Sequence, residues 1–206
     1  MEIILPLIII IVFAVKYLIW TEKKPLNKSP EQQAPVSADS GTKNNFMAIS
    51  QKLIACLNSH NTKYTVSHEG SLYNMLFMVE NTEVDIYIRI DKDGDYLKFS
   101  SVLNYEIPDV KMIKASELVT RLNENLIWGH FNLYYDLRLL VYDVIVRLDD
   151  VDVTNDLLES NIGQCRRIPG KYRPLFKRVI ENDEEPLLVA IDFNFQPETN
   201  INGSAE

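Results

Sequence analysis

The strongest constraint in this chain is an alternation. In "EVDIYIRI", Val84, Ile86, Ile88 and Ile90 fall on one side of an extended backbone, and in "YLKFSSVL" Leu97, Phe99 and Leu103 do the same. Period-two patterns on either side of a Gly-containing polar turn predict a β-hairpin with one buried face. The turn between them, "DKDGDY" (91–96), resembles the start of a calcium-binding EF-hand loop. That loop needs Gly at position 6 and a bidentate Glu at position 12. Counted from Asp91, those positions hold Tyr96 and Val102, and the flanks are strands rather than helices. A turn without a calcium site is the expectation.

Composition narrows the function classes. Of 206 residues, 46% are hydrophobic, enough for one packed domain with additional segments. A net charge of −8 and a pI near 5.0 argue against nucleic acid as a partner, because phosphate contacts need a basic surface. Seven glycines argue against phosphate-cradling loops. The two cysteines, Cys56 and Cys165, belong to no CxxC pattern and are expected as free thiols on helices.

Residues 1–22 predict a membrane anchor. "IILPLIIIIVFAV" is unbroken and apolar, and after Lys16 the segment "YLIW" continues it. As a helix, the stretch from Ile3 to Trp20 would extend ~27 Å, close to the hydrocarbon thickness of a bilayer. Lys16 lies near the end and can snorkel, and Tyr17 and Trp20 suit the interface. A cleaved signal peptide would need a basic region before the apolar core and a small-residue cleavage site, and neither is present. A core helix of a soluble protein is the other alternative. Lys16, Lys23, Lys24 and Lys28 all follow the run, which by the positive-inside rule places the rest of the chain in the cytoplasm. Residues 23–44, rich in Pro, Ser, Gln and Ala, predict a disordered linker.

Residues 45–182 predict an α+β domain. Asn45 is placed to cap a helix over 46–59, with Phe46, Ile49, Leu53, Cys56 and Leu57 on one stripe. Strands are expected at 63–68, 75–80, 83–90 and 95–103, followed by an irregular crossing at Pro108. A helix over 115–125 starts at Ser116, and two strands flank a turn at 136–138. A final helix begins near Thr154, with Asp156 favourable to its dipole and a kink or brief break at Pro169-Gly170. The order is α-β-β-β(-β)-α-β-β-α, an antiparallel sheet flanked by helices and preceded by the transmembrane helix.

This domain resembles the YbjN family. The resemblance rests on Leu122-Asn123 before a strand, Gly129-His130-Phe131, Asp136 at the hairpin turn, and the run Val144–Leu148 leading into the last helix. It implies a bacterial chain with the fold of type III secretion chaperones and no catalytic signature. With the anchor, it implies the inner membrane, with the globular domain on the cytoplasmic side.

The residues offer little chemistry. Of His60, His68 and His130, only His68 is expected to have a ligand partner, Glu69, and the two side chains would point to opposite faces of a strand. No G-x-S-x-G elbow occurs. Asp149, Asp150 and Asp152 read as a solvated turn before the last helix. "RRIPGKYRPLFKR" (166–178) reads as the polar face of an amphipathic helix, with lipid headgroups as the alternative contact. No catalytic residue, metal site or cofactor is expected.

The extension 183–206 holds one further pattern. In "LLVAIDFNF", Leu187, Val189, Ile191, Phe193 and Phe195 alternate, which predicts a strand over 187–195 that joins the domain's sheet or docks on a partner. The functional expectation is a membrane-anchored, non-enzymatic domain that binds another protein or a second copy of itself, chaperone-like or regulatory as the family resemblance implies. The alternative is a hydrolase-like enzyme assembled from dispersed residues, which a deep polar pocket with converging carboxylates or a His would favour.

Overall fold

The computed structural model describes residues 40–79, 82–103, 105–149 and 151–194. Its elements are α1 (Ser40–Ser59), β1 (Tyr64–Ser67), β2 (Leu72–Val79), β3 (Thr82–Ile90), β4 (Tyr96–Leu103), α2 (Met112–Asn123), β5 (His130–Tyr134), β6 (Leu139–Arg147), α3 (Asn155–Ile180) and α4 (Pro186–Asn194). The six strands form one antiparallel sheet in the order β1-β2-β3-β4-β6-β5. This is the expected α+β class.

The central hairpin forms as the alternation predicts, with Ile88 opposite Phe99 and Ile90 opposite Leu97. Its turn closes through Asp91 N–H to the Tyr96 carbonyl (3.1 Å) and Gly94 N–H to the Asp91 carbonyl (3.0 Å). Gly94 takes φ +78°, a conformation that favours glycine. The carboxylates of Asp91, Asp93 and Asp95 converge within 4.8 Å, and the Asp91 carboxylate accepts from Asp93 N–H.

One face of the sheet carries the core. Tyr73, Met75, Ile86, Ile88, Leu97, Phe99, Phe131, Leu140 and Tyr142 bury against the helices, and, Pro169 apart, every described buried apolar residue of α1, α2 and α3 belongs to this continuous cluster. In α1, Ile49, Leu53, Cys56 and Leu57 are almost fully buried, as the stripe predicted. Each leucine contributes roughly 1.5–3 kcal/mol through burial. Phe131 anchors an aromatic group with ring centroids 5.3–5.5 Å from Tyr142, Tyr172 and Phe176.

The second face is polar along one row. Asn74, Tyr87, Ser100, Asp143 and His130 lie side by side across five strands. Asp143 is fully buried, and its carboxylate accepts from Ser100 Oγ (2.6 Å) and Asn132 Nδ2 (2.6 Å) and pairs with Lys98 Nζ (3.1 Å). Leu72, Tyr87, Val102, Leu139 and Val141 on this face are buried but stand apart from the main core.

Several boundaries differ from expectation. The first helix starts at Ser40, inside the expected linker, so Asn45 is not its cap; its side chain reaches the Gly94 carbonyl (3.4 Å) instead. The second helix begins at Met112, a turn before Ser116, after a short 3₁₀ turn at Asp109–Lys111. The last helix starts as predicted, with Thr154 Oγ1 accepting from Leu157 N–H (3.2 Å) and Asp156 in its first turn. It then runs through Pro169 and Pro174 without a break. The apolar stripe of α3 lies along the sheet on both sides of the prolines, and this burial outweighs the hydrogen bonds they remove.

The expected strand over 187–195 is a helix, α4. Pro186 occupies its first position, where the missing N–H costs least, and Val189, Ala190 and Phe193 turn inward at helical spacing. His68 and Glu69 are also not in a strand: both sit in the β1–β2 turn with φ of 52° and 56°.

Candidate functional site

The residues that carried the family resemblance hold one corner of the sheet. Asn123, ending α2, donates from Nδ2 to the Phe131 carbonyl (2.9 Å) and accepts from Phe131 N–H at Oδ1 (2.8 Å). Its side chain thus takes the place of a neighbouring strand on the edge strand β5, which blocks pairing there. Gly129 has φ +67°, and a Cβ at that position would stand 2.6 Å from the Asp143 carbonyl and from the Tyr142 hydroxyl. That hydroxyl donates to the Trp128 carbonyl at 2.5 Å, and burial is the main cause raising its pKa to about 12. Asp136 lies in the turn before Arg138, which adopts a left-handed conformation.

Helix α4 docks on α2 and α3. Phe193 stacks on Tyr172 (4.8 Å) and lies under Lys171 Nζ (5.1 Å). An ionic cluster ties the connection down. Lys111 and Lys114 pair with Asp183, Lys114 also meets Glu185 (2.9 Å), and Arg178 bridges Glu184 (2.6 Å) and Asp192 (2.7 Å). Hydrogen bonds from the lysines and from Arg178 hold Asp183 and Glu184 below their ordinary pKa values. The basic stretch 166–178 is therefore engaged largely with the rest of the domain: Arg166 lies over the Phe77 ring (4.7 Å), and Arg178 and Lys171 serve α4.

The five alternating tail residues separate accordingly. Val189 and Phe193 pack inward, Leu187 and Ile191 face solvent, and Phe195 lies outside the described residues. Of fourteen exposed large hydrophobic residues described, eight lie on α2, β5 and α4 or the segments adjoining them: Val110, Ile113, Ile127, Trp128, Tyr135, Leu187, Leu188 and Ile191. Ile113, next to Lys114, is 82% exposed, and Leu188, within a turn of Glu185 in the sequence, is 58% exposed; Lys114 and Glu185 form an ion pair.

A second constellation was missed by the sequence reading, which named only His68-Glu69 as a ligand pair and overlooked the CxxxH spacing of Cys56 and His60. Cys56 and His60 are four positions apart at the end of α1, so they lie one turn apart on one side. Glu159 on α3 meets them, with Oε1 2.8 Å from His60 Nε2. The cysteine, imidazole and carboxylate ligand atoms all lie within 4.8 Å of one another. They line a cleft of about 420 Å³ with Phe77, Ile162 and Arg166. The helical period could have found the Cys-His pair, but Glu159 is brought in only by folding. As a nucleophilic set the trio is poorly suited: Cys56 is 1% exposed, and burial, then the Glu159 charge, pushes its thiol pKa up. Both cysteines are free and buried.

The anchor residues Ile3, Lys16, Tyr17 and Trp20 lie outside the described residues. Among the described residues, no helix is long and apolar enough to cross a membrane.

The fold is an antiparallel α+β domain whose edge strand β5 is capped by the Asn123 amide. Residues 51–178 match the YbjN family, described as "Putative bacterial sensory transduction regulator", and the chain belongs to that family. No curated protein matches it in sequence. Among solved structures, a chain from the HopA1–SchA chaperone–effector complex aligns with 16% identity and a TM-score of 0.45, covering 67% of this chain and 99% of that one.

Proposed function

We propose that this chain is a non-enzymatic regulator that acts by binding another protein, held at the inner face of the bacterial cytoplasmic membrane by residues 3–20. The observation that carries the reading is the clustering of exposed apolar side chains along α2, α4 and the ends of β5. Large contiguous apolar patches on a folded surface mark interaction sites. Here the ionic cluster around Lys114 and Arg178 fixes α4, so Leu187, Leu188 and Ile191 are presented on a preformed helix. A family of sensory transduction regulators is in keeping with a module that works by contact. The one-sided lysine flank of the apolar run supports the cytoplasmic orientation.

The test places a photo-crosslinking residue at Leu188 of the full-length chain in cells, with Lys52 on the exposed side of α1 as the control site. A discrete adduct at Leu188, absent at Lys52 and lost when Ile113→Glu is added, is the expected result. Equal crosslinking at both sites, or none at either, refutes the reading.

A further inference from the structure

We propose that Cys56, His60 and Glu159 form a binding site for a divalent transition-metal ion of the zinc type in the cleft between α1 and α3. Three different side chains from two helices converge here, their ligand atoms within 4.8 Å of one another. In a tetrahedral site with zinc-ligand lengths, neighbouring ligand atoms stand roughly 3.3–3.6 Å apart. Around an ion the His60–Glu159 contact of 2.8 Å would open by about half an ångström, and the Cys56 sulfur, within 4.8 Å of both, would close to this range.

The donor set selects the metal. A sulfur, an imidazole nitrogen and one carboxylate suit zinc or cobalt(II), whereas calcium and magnesium require all-oxygen shells. Three protein ligands leave a fourth position, and the cleft has room for water or an exchangeable ligand there. Charge is balanced: a thiolate and a carboxylate offset the two positive charges of the ion, the thiol proton passing to solvent on binding. Arg166, the cation lining the cleft, is held over the Phe77 ring. A plain His–Glu pair with both side chains about half exposed is only weakly held. The Asp91–Asp93–Asp95 turn differs in every respect: its donors are all carboxylates on one short loop.

The consequence is mechanical. The ion would clamp the end of α1 to the second turn of α3, across ninety-nine positions of sequence. Because α1 is the helix that follows residues 1–39 in the chain, metal occupancy would set how firmly that helix is joined to the domain.

The test is a titration of the metal-free full-length chain, in mild detergent under reducing conditions, with Co2+ and then Zn2+. One equivalent of Co2+ should give tetrahedral d–d bands and a thiolate-to-cobalt charge-transfer band, both displaced by Zn2+. His60→Gln and Glu159→Gln lie at the cleft mouth and should leave the fold intact while weakening Zn2+ binding by ~10-fold or more. Cys56→Ser should abolish the charge-transfer band, and the surface control Asp93→Asn should change nothing. Absence of the thiolate band in the native chain overturns the proposal. So does Zn2+ affinity unchanged in His60→Gln and Glu159→Gln, which stays decisive if Cys56→Ser fails to fold.

Discussion

The buried carboxylate of Asp143 makes a demanding prediction. Its side chain is 1% exposed, and three groups aim at it: Ser100 Oγ and Asn132 Nδ2 at 2.6 Å, and Lys98 Nζ at 3.1 Å. Asp143→Ala removes the acceptor of all three and leaves a lysine, itself only 19% exposed, without its counter-charge. Breaking a buried pair from one side costs roughly 3–5 kcal/mol, because the remaining charge keeps its desolvation penalty. For a domain of this size each kcal/mol moves Tm by about 2–4 °C, so a fall of roughly 6–20 °C is expected. The double variant Asp143→Leu/Lys98→Met removes both charges and fills the space with apolar atoms. It should recover a large part of that loss, since a well-packed apolar pair can equal a buried ion pair. The assay is urea unfolding of the full-length chain in mild detergent, followed by circular dichroism, with thermal melts in parallel. A loss below ~1 kcal/mol for Asp143→Ala, or a double variant no better than the single, would falsify the claim that a desolvated charge network organises this face.

Gly129→Ala should cost ~2–4 kcal/mol in the same urea assay, because its positive φ and the 2.6 Å approach of the Asp143 carbonyl both reject a Cβ. The depressed carboxyls of Asp183 and Glu184 stabilise the α3–α4 connection above their ordinary pKa values of 3.8 and 4.5 and lose that contribution as pH falls through the lower folded values. Hydrogen exchange over 186–194 should therefore accelerate below about pH 4 before the sheet opens, and simultaneous loss of both would count against it. Replacing Asp91, Asp93 and Asp95 by Asn should leave the melting temperature as insensitive to calcium as that of the native chain, since positions 6 and 12 of a calcium loop are Tyr96 and Val102. Residues 3–20 should keep the chain in the membrane pellet after alkaline carbonate treatment, with the domain shielded from protease added to intact cells; release or digestion would contradict the anchor.

The sheet was legible because alternation over strands such as 83–90 leaves few alternatives. Once Val84, Ile86, Ile88 and Ile90 face one way, the partners of β3 follow from hairpin geometry. Helix starts were less so. Asn45 looked like a cap, yet the chain is already helical there and its amide serves Gly94 across the fold. The candidate site was legible in halves. Cys56 and His60 share a helix side by simple spacing, but their partner is ninety-nine residues from His60, and no local pattern marks it. Asn123 drew notice only through its place in a family pattern, and its role as a stand-in for a missing strand is visible only in three dimensions.

The tail shows why apolar content can hide the period. In "PLLVAIDFN" two readings share residues: Leu187, Val189, Ile191 and Phe193 alternate, while Pro186, Val189, Ala190 and Phe193 fall at i, i+3, i+4 and i+7. Periodicity cannot choose between them in so short a run. The ends can. Three acidic residues, Asp183, Glu184 and Glu185, precede a proline, which is how a helix begins: negative charge near the positive end of the dipole, and a residue whose lost N–H has no partner to miss. The folded chain takes the second reading, with Pro186, Val189 and Ala190 buried and Phe193 on Tyr172. As a strand, the segment would have needed a sheet edge, and β5 already has its Phe131 groups taken by Asn123. As a helix it satisfies its own backbone, covers part of α2, and leaves Leu187, Leu188 and Ile191 facing outward. An interaction role for the tail thus rests on the outward side of a docked helix, and substitutions at Leu188 should alter partner contact while leaving stability largely unchanged, whereas those at Val189 should do the reverse.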